Sequence, residues 1–424
     1  MRGFNTLLFV MFALSANAAD GTVGTVSVQK GNNVSVNGEA PLSLTLDGKD
    51  HQSCQFLSKR APDESHEFTW KEVTTTRGGE LAEILGDQLR SVDSLVVKGY
   101  VNDKDFHAMW DASLYGYLSV INLKNAVLEN NAVPDTAFFH ENEQYEGSSH
   151  EIFYYIGLRK IILPEGLEKI GEGAFYQASA LRQVNFPSTL RYIGDFAFNA
   201  TKLEMNQLVI PEGVEEINQY AFAFCRKLKA QVTLPSTIKK IGEWAFYGCP
   251  ITSINLPEGL ESLGSLAFWD CDLREVSIPS SCHEFNEGWQ FGFNRNLEKM
   301  HLPEGMTEIP DHFAVDCFRL REVNFPHTLK HIGEKAFSLC ISLKNVDLPL
   351  GMQSLGEEAF SELEALEQIV FPASMKSLGK NSCSYWKNIK RIYCAAMEPP
   401  VCDPTDGGVF SGFDFPDGFD TPVV

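Results

Sequence analysis

Ten cysteines, a histidine pair four residues apart and an aspartate-rich C-terminus are the groups in this 424-residue chain with most capacity for chemistry. Cys225, Cys249, Cys271, Cys317 and Cys340 fall at matching places in a repeating pattern where other units carry Ala178, Thr201 and Leu363. Cys282 and Cys383 likewise stand where apolar residues stand elsewhere. These seven read as small buried apolar side chains, although neighbours could be bridged in an oxidising compartment. No paired C-x-x-C is present, so a zinc site is not expected. Cys394 and Cys402 lie past the last full repeat and could staple the C-terminal end; Cys54 has no evident partner. His327 and His331 read as surface residues. The stretch His140-Glu141-Asn142-Glu143 reads as solvated. Asp403, Asp406, Asp414, Asp417 and Asp420 could recruit calcium, but their spacing is not that of an EF-hand, and a poorly ordered acidic end is expected. There is no G-x-S-x-G, no H-E-x-x-H and no phosphate-cradling glycine loop. No catalytic, cofactor-binding or metal-binding residue is assigned, and an enzyme is not expected.

The elements that must position these groups repeat about ten times. One unit reads Leu181-x-x-Val184-x-Phe186-Pro187-x-x-Leu190-x-x-Ile193-Gly194-x-x-Ala197-Phe198. Its proline recurs from Pro164 to Pro372 at intervals of 22 to 24 residues. A period of 20 to 29 residues with L-x-x-L-x-L spacing marks a leucine-rich-repeat solenoid. Val184 and Phe186 share one side of a short strand, and the proline ends it. The Ala-Phe pair places Phe175, Phe198, Phe222, Phe246, Phe268, Phe337 and Phe360 at one depth, where they should form an internal spine. Each ring contributes roughly 1.5–3 kcal/mol of burial. One coil cannot bury its own apolar side, so neighbouring coils stabilise each other. The expected fold is therefore a mostly β, right-handed solenoid of short parallel strands and helical turns, with atypical capping coils.

A second period runs through the first. After each proline, glycine alternates with a hydroxyl residue, as in Glu212-Gly213 and Ser236-Thr237. Charges three and four residues later mostly alternate too, Glu215-Glu216 against Lys239-Lys240. Such a ladder sets register more than it binds ligand. Two units break the pattern. One carries Phe285, Trp289, Phe291 and Phe293; the next reverses the pair as Phe313-Ala314. The structural reading is a local kink repacked with aromatics, and the functional one is an aromatic patch for a ligand.

Met1-Arg2, the apolar run Leu7 to Leu14 and Ala16-Asn17-Ala18 read as a secretory signal over 1–18, too short for a membrane span. No later stretch is long and apolar enough to cross a bilayer. Residues 19–71 suggest short strands or a loosely ordered lead. Residues 72–157 read as modified N-terminal repeats, with Gly79 to Leu89 at helical spacing, a helix from Asp103 to Trp110 capped by Asn102 or Asp103, and a polar insertion at 139–151. The regular array covers 158–395, and 396–424 form an acidic tail or cap. The net charge of −21 becomes −22 without Arg2, which disfavours nucleic acid as a partner.

The recurring L-x-x-V-x-L-P-x-G-L-x-x-I-G-x-x-A-F-x-x-C resembles the BspA-like leucine-rich repeats of bacterial surface proteins, over about residues 72–395. The resemblance implies an exported or cell-surface protein, non-catalytic, that binds other proteins, in some members host matrix proteins, or mediates adhesion to another cell's surface and coaggregation. It supplies no catalytic residue. The alternative is an architectural surface or periplasmic scaffold without a specific ligand. A monomer is expected, and no cofactor.

The solvent side of the first-half strands offers the candidate binding face. Its columns hold Arg159, Arg182, Arg274, Arg321 and Lys344, then Gln183 and Lys299, then Asn185, His301 and Asp347. Arginine and lysine outnumber acids there although the molecule is acidic, so this face should attract partners differently from the rest. Eleven strands would span on the order of 50 Å.

Overall fold

A computed structural model describes residues 66–139, 156–402 and 408–411, with the backbone of the strands Gly24–Gln29, Asn33–Gly38, Phe56–Leu57 and Phe153–Tyr154. The secretory leader, Cys54, the His140–Glu143 stretch and the five C-terminal aspartates lie outside the described residues. The architecture is a parallel β-solenoid with little helix. Two compact units divide it. Unit one comprises Met1–Leu167, Gly173–Asn185 and Ala200–Lys202; unit two comprises Glu168–Glu172, Phe186–Asn199 and Leu203–Val424.

In unit one the strands Trp70–Thr75, Ser94–Val101, Val120–Leu128, Lys160–Ile162 and Gln183–Val184 form one parallel sheet. The helix Asp103–Tyr115 begins at Asn102, whose Oδ1 accepts from the Lys104 N–H at 3.1 Å while Asp105 accepts from the Asn102 N–H at 3.0 Å. It runs past Trp110, because Ala112, Ser113 and Leu114 also pack inward. Asp105 is buried, and its carboxylate takes the Gly79 and Leu81 N–H groups at 2.7 and 2.9 Å. One carboxylate therefore caps this helix and anchors the start of the helix Leu81–Leu85. The ring of Phe138 stacks on Phe175 at 5.3 Å.

Unit two is made of coils that hydrogen-bond rung to rung at three places. First-half strands pair in register, as Gln207–Val209, Gln231–Thr233 and Ser253–Asn255, and then as Glu275–Ser277, Lys299–His301 and Glu322–Asn324. Two-residue strands pair on the second side, from Lys169–Ile170 to Glu284–Phe285 and from Glu308–Ile309 to Val401–Cys402. The break between these two runs falls in the coil that holds Trp289. The glycines at the end of the second strands are sites of close approach. A Cβ on Gly264 would lie 2.4 Å from the Glu243 backbone nitrogen, so only glycine lets the coils close up.

The third ladder runs through the turns. The N–H of Phe222 donates to Ala245, Phe246 to Ala267, Phe268 to Gln290, Phe291 to Phe313, Ala314 to Ala336 and Phe337 to Ala359. All these N–H groups point toward the C-terminal end. The irregular coils keep this register: Phe291 occupies the spine position, and Ala314 takes it in the next coil. Phe313, one residue earlier, fills the space with its ring turned 76° to Phe291. The rings of Phe198, Phe222, Phe246, Phe268 and Phe291 stack at 5.3–5.6 Å within 9° of parallel. Phe337 and Phe360 stack at 5.9 Å, and all of these rings are fully buried.

The N–H row must end somewhere. Asn381, Cys383 and Tyr385 donate to the carbonyls of Gly408, Val409 and Ser411 at 2.7, 3.1 and 2.9 Å. Val409 is buried, and Phe410 meets the buried Trp386 edge-on. Within the acidic end, residues 408–411 are thus an ordered cap. They satisfy donors that the last coil would otherwise leave open.

Candidate interaction faces

The post-proline alternation turns out to be an interlock. Gly213, at φ 95°, donates its N–H to Thr237 Oγ1 at 2.9 Å, and that hydroxyl donates to the Val214 carbonyl at 2.9 Å. The Glu212 carboxylate accepts from the Ser236 N–H and hydroxyl at 3.1 and 3.0 Å. The same exchange recurs for Glu258-Gly259 with Ser280-Ser281 and for Glu304-Gly305 with His327-Thr328. His327 is therefore an exposed partner of Glu304, while His331 Nδ1 pairs with Ser354 Oγ at 2.7 Å. Opposite charges also meet across rungs. Lys240 lies 2.7 Å from Glu216, whose hydrogen bond raises the lysine's pKa.

The thiols have a second role besides filling space. Cys225, Cys249, Cys271, Cys317 and Cys340 each direct Sγ at the carbonyl of the preceding coil's spine residue, at 2.9–3.3 Å. Asn294 and Trp386 hold the same place in their coils and donate from Nδ2 and Nε1 at 2.7 Å. All nine described cysteines are unbridged. Burial pushes the Cys317 thiol up to about 12 and those of Cys249, Cys271 and Cys340 well above the usual range.

On the strand face of unit one, Arg159, Arg182, Gln183 and Asn185 are exposed. Asn185 is engaged in the fold: its amide accepts from the Leu163 N–H at 2.7 Å and donates to the Leu163 carbonyl at 3.0 Å. It extends the sheet past the point where Pro187 would stop it. Asn324 does the same for Leu302.

On the strand face of unit two, Arg274, Lys299, Arg321, Lys344 and Asp347 are exposed and His301 is half-exposed. Lys299 pairs with Glu322 at 3.2 Å, and His301 with Glu275 at 3.3 Å. Arg274, Arg321 and Lys344 form no ion pair among the described residues. Glu298 stands between Arg274 and Arg321 in the column. Lys390 and, to a smaller degree, Lys344 hold the Glu367 carboxylate below its usual range.

The turn face of unit two carries a feature that the strand columns do not. Phe196, Tyr220, Trp244 and Trp289, two residues before the spine position, are half-buried. All four, with Leu266 and His312, have positive φ between 54° and 66°. Bulky side chains there are strained by about 1–2 kcal/mol each. Face-to-face packing offsets that strain: Phe196 on Tyr220 at 4.7 Å, Tyr220 on Trp244 at 5.2 Å and Trp289 on His312 at 3.6 Å. Burial lowers the pKa of His312. The sequence signal is an aromatic residue two places before the spine, masked by the stronger Ala-Phe motif beside it. Among the described residues, no group of three or more His, Cys, Asp or Glu side chains could hold a metal, and no helix is long and apolar enough to cross a membrane.

The BspA type leucine rich repeat region matches this chain in six copies, over residues 148–231, 230–337 and 312–397. The matched stretches cover more than half of the sequence. The chain belongs to the BspA-type leucine-rich-repeat family. Similar solved structures include a leucine-rich repeat protein from Bacteroides ovatus, 22% identical over 87% of this chain and 92% of that one, with a TM-score of 0.48. A leucine rich cell surface protein from Faecalibacterium prausnitzii is 21% identical over 63% and 83%, with a TM-score of 0.36. The pneumococcal vaccine antigen PcpA is 18% identical over 89% and 87%, with a TM-score of 0.35. No curated protein matches the sequence. Like other leucine-rich-repeat arrays, this BspA-type chain is a scaffold of stacked coils whose faces differ in chemistry.

Proposed function

We propose that this BspA-type protein is exported to the cell surface and binds other proteins, in adhesion or cell–cell contact, without catalysis. The observation that carries the reading is that Arg274, Arg321 and Lys344 are exposed and form no ion pair among the described residues, on a chain of net charge −21. Arg274 and Arg321 sit two rungs apart in the sheet, about 10 Å at the usual strand spacing, with Lys344 one coil further on. Cations at these intervals, with Glu298 on the rung between the two arginines, favour partners presenting carboxylates at matching intervals. Capture from host extracellular-matrix extract by the full chain tests it. The Arg274→Glu/Arg321→Glu/Lys344→Glu protein should capture at least ten-fold less, and equal capture by both contradicts the reading.

A second reading is favoured by the cross-rung pairs Lys299–Glu322 and Lys390–Glu367. Charges that neutralise each other within the sheet suit an architectural coat that binds no specific ligand. That reading predicts no saturable partner in the same experiment.

A further inference from the structure

We propose that the turn face of unit two is a second interaction surface, fitted to an extended protein segment that carries arginine at every third residue. The half-buried Trp244 and Trp289, each close in sequence to a carboxylate that forms no ion pair among the described residues, would receive successive arginines.

The chain's own arginines already bind in this way. The Arg226 guanidinium lies 5.6 Å from the Phe224 ring centroid while its Nη1 donates to Asp270 at 2.8 Å. In a later coil Arg295 lies 5.7 Å from the rings of both Phe293 and Phe318. The surface is therefore built to hold a guanidinium against aromatic carbon and, at Arg226, beside a carboxylate. Trp244 and Trp289 carry no such cation among the described residues. Glu243 precedes Trp244 directly, and Glu287 lies two residues before Trp289; neither forms an ion pair among the described residues. Trp244 packs against Tyr220 and Tyr247, and Trp289 against Trp269 and His312, and both stay half-exposed. The ring carbon left exposed suits the aliphatic stem of an arginine, and the carboxylate takes the head group.

Spacing selects the partner. Trp244 and Trp289 are two coils apart, about 10 Å along the solenoid. A polyproline-II segment returns to the same side every third residue after about 9.3 Å. Consecutive arginines in an Arg-x-x-Arg pattern would therefore meet consecutive Trp–Glu sites. This surface is distinct from the basic strand face and prefers partners of opposite charge to those proposed there.

The test uses the full chain and the labelled peptide (Arg-Pro-Pro)4, with (Glu-Pro-Pro)4 and a four-arginine block followed by eight prolines as controls. Binding by anisotropy should be saturable for the first peptide, absent for the second and at least five-fold weaker for the third. The neutral Trp244→Ser/Trp289→Ser protein should lose at least ten-fold in affinity, and Glu243→Gln/Glu287→Gln should lose about as much if the tryptophan variant fails to fold. The strand-face triple reversal should leave this affinity undiminished. Unchanged binding by a folded tryptophan variant would mean bulk electrostatic capture by an acidic protein and would overturn the proposal. So would equal affinity for the blocked-arginine peptide.

Discussion

Asn294 donates its side-chain amide to the carbonyl of Phe268, one coil away, at 2.7 Å, and to Phe291 within its own coil at 2.8 Å. Both it and the Phe268 ring are fully buried. This bond does in one coil what thiols do in five others, so the column is a row of donors serving the spine carbonyls. Asn294→Leu would keep the branching of the side chain but leave the Phe268 carbonyl without that donor and the Leu273 N–H without its acceptor, lowering unfolding stability by about 1–3 kcal/mol. Asn294→Cys should cost less than half of that. Urea denaturation of the two variants measures the difference.

The phenylalanine spine contributes by packing. Phe246 stacks between Phe222 and Phe268 at 5.3 and 5.6 Å. Phe246→Ala is expected to cost about 3–5 kcal/mol, and Phe246→Leu clearly less. Because coils stabilise only their neighbours, the loss should broaden or split the thermal transition instead of shifting it whole, which calorimetry would register.

The buried thiols should stay reduced and unreactive in the native protein. The Sγ atoms of Cys225, Cys249, Cys271, Cys317 and Cys340 point at carbonyls, and burial raises the pKa of Cys249, Cys271, Cys317 and Cys340. In a Cys54→Ser background, a thiol reagent should modify the exposed Cys394, and more slowly Cys402, within minutes. Cys225, Cys249, Cys271, Cys317 and Cys340 should react only after denaturant. Mass spectrometry of the labelled peptides checks this.

His312 gives the array an acid-sensitive point. Burial between Trp289 and the next coil holds its imidazole neutral below the usual 6.5. The unfolded chain takes up this proton more readily than the folded one, so stability is whole above about pH 6.5 and falls as pH drops toward the lowered folded value. His312→Gln should flatten the decline in melting temperature between pH 7 and pH 5, and an unchanged slope would count against this account.

The fold class is legible in the sequence because period, proline and Ala-Phe pair repeat at fixed offsets, and stacked coils place equal offsets side by side. The meaning of single polar residues is not legible in the same way. Asn185 on a strand looks like any exposed side chain until its amide is seen closing on Leu163. Cys249 reads as apolar filler, since only geometry reveals the carbonyl it faces. The segment 408–411 carries no repeat signature, yet backbone donors alone dictate its place. Of the aromatic turn face only Trp289 stands out in the sequence, within a unit that breaks the pattern; Phe196, Tyr220 and Trp244 do not, because their importance lies in left-handed backbone and shared stacking.

Hydrogen exchange of the native chain, read by mass spectrometry, addresses the stacked-coil account most directly. The turn ladder continues through the irregular coils, so the amides of Phe246, Phe268, Phe291, Ala314 and Phe337 should form one slowly exchanging set. Early exchange of Phe291 and Ala314, with protection on either side, would contradict a continuous ladder.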